Sequence, residues 1–126
     1  MALSTERPVN LDLTTFRFPI TAIASILHRV TGAVLFFGSF ILLALLGLSL
    51  ESEAGFADTL SLLDNGFVAF IIWGVLAALA YHFVAGLKHL VMDMGYGETL
   101  ESGPVFAKVS MAIAAALILL AGVWVW

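Results

Sequence analysis

Two groups of residues in this 126-residue chain carry most of its capacity for chemistry. Ser25, His28 and Arg29 follow i, i+3, i+4 spacing, and Gly32 continues their face one helical turn further. His82, Gly86, His89 and Asp93 stand at i, i+4, i+7 and i+11, again a single stripe on a helix. A neutral imidazole is a common axial ligand for haem iron. Anionic haem propionates favour cationic or hydrogen-bonding groups, which Arg29 and His28 can supply. A quinone headgroup asks for one or two donors to its carbonyl oxygens in an apolar slot, and Ser25 and Arg29 can provide them. On the residues alone the reading is a haem or quinone site, with a proton path along the same groups as the competitor. Nothing resembles a hydrolase triad, a phosphate loop or a zinc cluster.

Plainer roles compete for each residue. Arg29, Lys88 and Lys108 lie near helix ends, where long cations snorkel to the interface. His89 is close enough to the surface to be an interfacial histidine. Ser25 can bond a carbonyl one turn back. His82 can serve a helix–helix hydrogen bond, and Gly32, Gly38, Ala78, Ala85 and Gly86 can be packing contacts.

The elements that position these groups are dictated by the solvent. Hydrophobic residues make up 62% of the chain and charged residues 11%. A soluble domain is about half apolar and roughly a quarter charged, so water is the wrong surroundings for this chain. Three apolar runs, about 23–50, 68–92 and 105–126, each reach the roughly 20 residues that cross about 30 Å of hydrocarbon. The short alternating segments of a membrane β-barrel are absent. The expectation is an all-α, three-span membrane protein forming one anchor domain over residues 1–126. Met1–Pro19 is polar and mixed, with no apolar core, which argues against a secretory signal peptide.

Charge sets the expected direction. Glu51, Glu53, Asp58 and Asp64 occupy the first connection without a base, whereas Arg7, Arg17, Arg29, Lys88 and Lys108 all lie elsewhere. The positive-inside rule then places the N-terminus inside and the acidic loop and C-terminus outside, with Trp124 and Trp126 anchoring the outer interface. Both chemical clusters fall in the inner half, His82 about ten residues or roughly 15 Å from the inner end. There is no cysteine, which excludes a disulfide scaffold, a thiolate metal site and a cysteine nucleophile. With 5 Lys+Arg against 9 Asp+Glu, nucleic acid is excluded as an expected partner.

The polar lead Arg7-Pro8-Val9-Asn10-Leu11-Asp12-Leu13, continued by Arg17-Phe18-Pro19-Ile20, runs into Ser25-Ile26-Leu27-His28-Arg29-Val30-Thr31-Gly32. Together with His82-Phe83-Val84-Ala85-Gly86-Leu87-Lys88-His89-Leu90-Val91-Met92-Asp93, this resembles the cytochrome b membrane-anchor subunit of bacterial succinate dehydrogenases. The resemblance spans nearly the whole chain. It implies that His82 is an axial ligand of a b-type haem whose other ligand comes from a second membrane-anchor subunit. It implies that Ser25 and Arg29 belong to the ubiquinone site, that His28 and Arg29 contact the haem propionates, and, with less weight, that Asp93 lies on a proton path. Flavoprotein and iron–sulfur subunits are the further partners it implies, and a multi-pass place in the bacterial inner membrane the location. A fumarate reductase anchor, or a small non-redox membrane protein with helix-packing histidines, are the rival expectations.

Overall fold

The computed structural model describes residue 9 and residues 11–126. Arg7, Pro8 and Asn10, with the orienting charge and the lead motif they contribute, lie outside the described residues. The described chain is helical, in the order α1 (Ile20–Glu51), α2 (Glu53–Leu63), α3 (Gly66–Asp93) and α4 (Ser102–Val125), with no strand among the described residues. Three of these, α1, α3 and α4, are long and apolar enough to cross a membrane.

Each spanning helix begins ahead of its apolar run, because polar or conformationally fixed residues start it. Pro19 holds the extended N-cap of α1 (φ −64°, ψ 155°), and its carbonyl accepts from the N–H groups of Ala22 and Ile23. Asn65 caps α3, its side-chain oxygen accepting from the N–H of Phe67 at 3.0 Å and of Val68 at 3.3 Å. Thr99 and Ser102 bond each other reciprocally at the entry to α4. Pro104 is the third residue of α4 rather than its first. It is accommodated because first-turn N–H groups have no intrahelical partner.

The acidic connection is a helix rather than a loop. Ser52 breaks the chain with an extended backbone, and its hydroxyl accepts from the Gly55 N–H at 3.0 Å, capping α2. Glu53 then sits in the first turn, where a carboxylate complements the helix dipole. Gly55 packs so closely on the Leu48 carbonyl that a Cβ there would collide with it. The helix thus folds back onto the end of α1.

At the other end of the bundle α3 stops at Met94, and Gly95 (φ 91°) and Gly97 (φ 75°) take left-handed conformations that turn the chain into α4. The Phe106 ring occupies the space a side chain at Gly97 would need. α3 lies between α1 and α4, and small residues let the helices approach. Ala24, Ala85, Ala107 and Ala114 are at most 3% exposed, whereas among the described residues no large side chain is fully buried. This is the packing of spans in lipid, where close backbone approach replaces burial of bulky groups. Two long-range hydrogen bonds add to it: Tyr81 donates its hydroxyl to the Ala24 carbonyl at 3.0 Å, and Trp73 donates Nε1–H to the Ile118 carbonyl at 3.0 Å.

Candidate functional site

The N-terminal half of α1 and the C-terminal half of α3 run side by side at the same end of the bundle, and three histidines meet between them. The His28 ring stacks on His82, with centroids 4.2 Å apart and planes 26° apart. Its other neighbour is His89, at 5.0 Å and 25°. Gly86, between the two α3 histidines, leaves room for the His28 ring, whose Nε2 would lie 3.9 Å from a Cβ at that position.

His82 is fixed by more than stacking. Its Nδ1 lies 3.0 Å from the backbone carbonyl of His28 and 3.2 Å from Thr31 Oγ1. A carbonyl can only accept, so Nδ1 carries the proton and the lone pair of the neutral ring is on Nε2. The Thr31 hydroxyl donates back along α1, 2.8 Å from the Leu27 carbonyl and 3.0 Å from that of His28, which leaves its oxygen free to accept from His82. Gly32 lies beneath the ring: a Cβ there would sit 3.0 Å from His82 Cε1. His89 is held by a local bond instead, its Nδ1–H donating to the Ala85 carbonyl at 2.7 Å.

The stripe of Ser25, His28, Arg29 and Gly32 expected from spacing is divided between two surroundings. His28 and Gly32 turn onto α3, whereas Arg29 is exposed and Ser25 half-buried. Among the described residues the Ser25 side chain makes no hydrogen bond; the bond back along the helix belongs to Thr31 instead. Arg29 and Asp93 form no ion pair among the described residues, and Asp93 is exposed at the last position of α3. Among the described residues no hydrogen bond joins Ser25, Arg29 or Asp93 to the histidine stack. Lys88 lines an open apolar groove of about 320 Å³ between α3 and α4, with Leu87, Val91 and Phe106. Its stem lies along hydrocarbon, as expected of a snorkelling cation.

Thr31 and Tyr81 are the residues that sequence reasoning left without a role. Thr31 stood inside the first motif, but its helical position gives no sign that its hydroxyl reaches a histidine from the other motif. Tyr81 precedes His82 directly, and only the packing of α3 on α1 shows that its hydroxyl reaches Ala24.

Fold and site together define a helical, three-span membrane protein with an ordered imidazole presented between two spans. Residues 4–121 match the family described as succinate dehydrogenase/fumarate reductase transmembrane subunit. The succinate dehydrogenase cytochrome b556 subunit of Coxiella burnetii is 40% identical over 98% of this chain and all of its own length. That of Paracoccus denitrificans is 35% identical over 92% of this chain and 87% of its own. The succinate dehydrogenase cytochrome b560 subunit of Reclinomonas americana is 36% identical over 79% and 73%. The chain belongs to the succinate dehydrogenase/fumarate reductase transmembrane-subunit family.

Proposed function

We propose that this chain is a cytochrome b membrane anchor of succinate dehydrogenase, holding haem b jointly with a second anchor subunit and forming part of the site where ubiquinone is reduced. The observation that carries the reading is the anchoring of His82: Nδ1–H is bonded to α1, which orients the ring and leaves Nε2 as the nitrogen open to a metal. The donor chemistry fits haem iron, for which a neutral imidazole is a common axial ligand. His82 would bind the iron, and Arg29 and His28 would meet the propionates. Bound there, haem b supplies a one-electron redox centre within the membrane. A second anchor subunit would share in holding the haem, since His28 is stacked face-on between His82 and His89.

Ser25 and Arg29 have the properties a quinone site needs. Both are on α1, with no side-chain partner among the described residues, so hydroxyl and guanidinium are available as donors to quinone carbonyl oxygens. Reducing a quinone to its quinol takes two electrons and two protons, and Asp93, exposed at the end of α3, would pass protons. Succinate oxidation belongs to a flavoprotein partner and electron relay to an iron–sulfur partner, since a chain without cysteine has no thiolates for clusters. The distribution of the five bases supports an inside N-terminus and an outside C-terminus in a bacterial inner membrane, with residues 1–126 acting as one anchoring unit. The relatives, succinate dehydrogenase subunits, favour succinate oxidation over fumarate reduction as the working direction.

A reduced-minus-oxidised spectrum of the purified complex tests the reading. A b-type haem band should be present and should be lost in His82→Ala. A band retained in full by that variant refutes the ligand assignment, and reduces the His82 bond to a helix-packing contact.

A further inference from the structure

Three atoms or groups of one α1 turn converge on the His82 ring: the His28 carbonyl, the Thr31 hydroxyl and the bare Cα of Gly32. We infer that Thr31 and Gly32 are positioning residues for the iron ligand. Thr31 sets the donor strength of His82, and Gly32 leaves clearance for its ring. This rests on the haem reading above and adds to it a role for two residues that touch neither iron nor quinone.

The geometry separates their tasks. The hydroxyl proton of Thr31 is directed to the Leu27 or His28 carbonyl, so its oxygen presents a lone pair to Nδ1–H of His82 at 3.2 Å. The Nδ1 proton is therefore shared between two acceptors, the His28 carbonyl at 3.0 Å being the other. Acceptors on the far nitrogen raise the basicity of a ligating imidazole, and removing such a partner typically weakens metal affinity 10–100-fold. The more basic the imidazole, the more it favours the ferric over the ferrous state. Gly32 acts by shape. A methyl group there would stand 3.0 Å from Cε1, tighter than ordinary contact, so the ring would have to give by a few tenths of an ångström from the position it holds against its two acceptors.

The spacing explains why both tasks fall on this turn. Thr31 is four residues beyond Leu27 and three beyond His28, so its hydroxyl can bond both carbonyls while facing α3. The neighbouring Gly32 opens the backbone just where that ring descends. Neither residue could be moved by one position without losing its partner.

Redox titration of the haem band in the purified complex tests this, with Thr31→Val, Thr31→Ser and Gly32→Ala compared against Gly47→Ala, a helical glycine with open space around it. Thr31→Val keeps the shape and deletes the acceptor. It should shift the one-electron equilibrium toward the reduced haem by about tenfold, which is ~59 mV upward in midpoint potential. Thr31→Ser retains the hydroxyl and should restore the wild-type potential. Gly32→Ala should lower haem retention during purification by about tenfold or more. If Thr31→Val leaves the potential at its wild-type value, or Thr31→Ser shifts it equally, the hydroxyl does not tune His82 and the inference fails. If Gly32→Ala does not assemble, the two Thr31 variants decide the outcome by themselves. A wild-type complex with no b-type band would overturn the haem reading itself, a result distinct from a normal band that ignores Thr31.

Discussion

Replacing Tyr81 by Phe removes one oxygen atom from the contact between α1 and α3 and changes little else. The ring stays in its cluster with Val84, Ala85 and Ala114, flanked by Leu27 and Met111. What is lost is the 3.0 Å bond from the Tyr81 hydroxyl to the Ala24 carbonyl, at a place where Tyr81 is 9% and Ala24 1% exposed. Hydrogen bonds between membrane helices contribute about 0.6 kcal/mol on average, with a maximum near 1.7. The Ala24 carbonyl is still within the helical ladder of α1, so no acceptor is left wholly unpaired and the upper limit does not apply. A loss of about 1 kcal/mol is expected, or about fivefold in the unfolding equilibrium. Unfolding in mixed micelles titrated with a denaturing detergent measures it, with Trp73 at the α3–α4 contact as the fluorescent reporter. Tyr96→Phe is the control, because that residue is 64% exposed and its hydroxyl bonds nothing among the described residues. If Tyr81→Phe unfolds with wild-type stability, or Tyr96→Phe loses as much, the Tyr81 bond is not what joins the two helices.

Two further outcomes are expected. Gly38→Ala places a methyl 2.9 Å from both γ carbons of Val75 and should cost about 1–3 kcal/mol of stability by overpacking. The cost should shrink in the Gly38→Ala, Val75→Ala double variant, and a double-mutant cycle without coupling would contradict the contact. Ser25→Ala and Arg29→Ala should each impair quinone reduction by about tenfold or more, the loss of a polar contact in a dry site, while succinate oxidation with an artificial acceptor continues. Wild-type quinone reduction in both variants would make these residues structural.

Much of the architecture was legible because the membrane constrains it so strongly. Three runs of apolar residues leave the backbone few alternatives to helices, and all three are helices long enough to span. The short helix α2 escaped notice because its signals are local. Ser52 as a cap and Glu53 in the first turn mean little beside four acidic residues that suggest a solvated connection. The histidines of the two motifs were legible as two stripes, but not as one stack. Period alone gives the angular position of His28 on α1 and of His82 on α3, while the contact between them depends on the rotation of each helix about its axis. That rotation is set by Ala24, Gly38 and Ala85, small residues whose message is close approach and not direction. The same limit hid Thr31, whose partner is 51 residues away in the chain.

The rotation has a consequence for how the two motifs share their work. α1 turns His28, Thr31 and Gly32 toward α3 and leaves Arg29 exposed among the described residues. Residues 25–32 thus span two environments within about two helical turns: one edge closes on His82, and the other is left to whatever packs outside. Arg29 has no ion-pair partner among the described residues, and a cation on the apolar surface of a span is costly unless it reaches the interface or a partner. The arrangement makes sense if the outward edge is completed by partner subunits and a quinone, whose carbonyl oxygens or whose neighbours' carboxylates meet Arg29. On that reading the proposed quinone and haem sites would be tied together mechanically. A movement of this turn that accommodated a quinone against Ser25 or Arg29 would displace the carbonyl and hydroxyl that hold His82, since one stretch of helix carries them all.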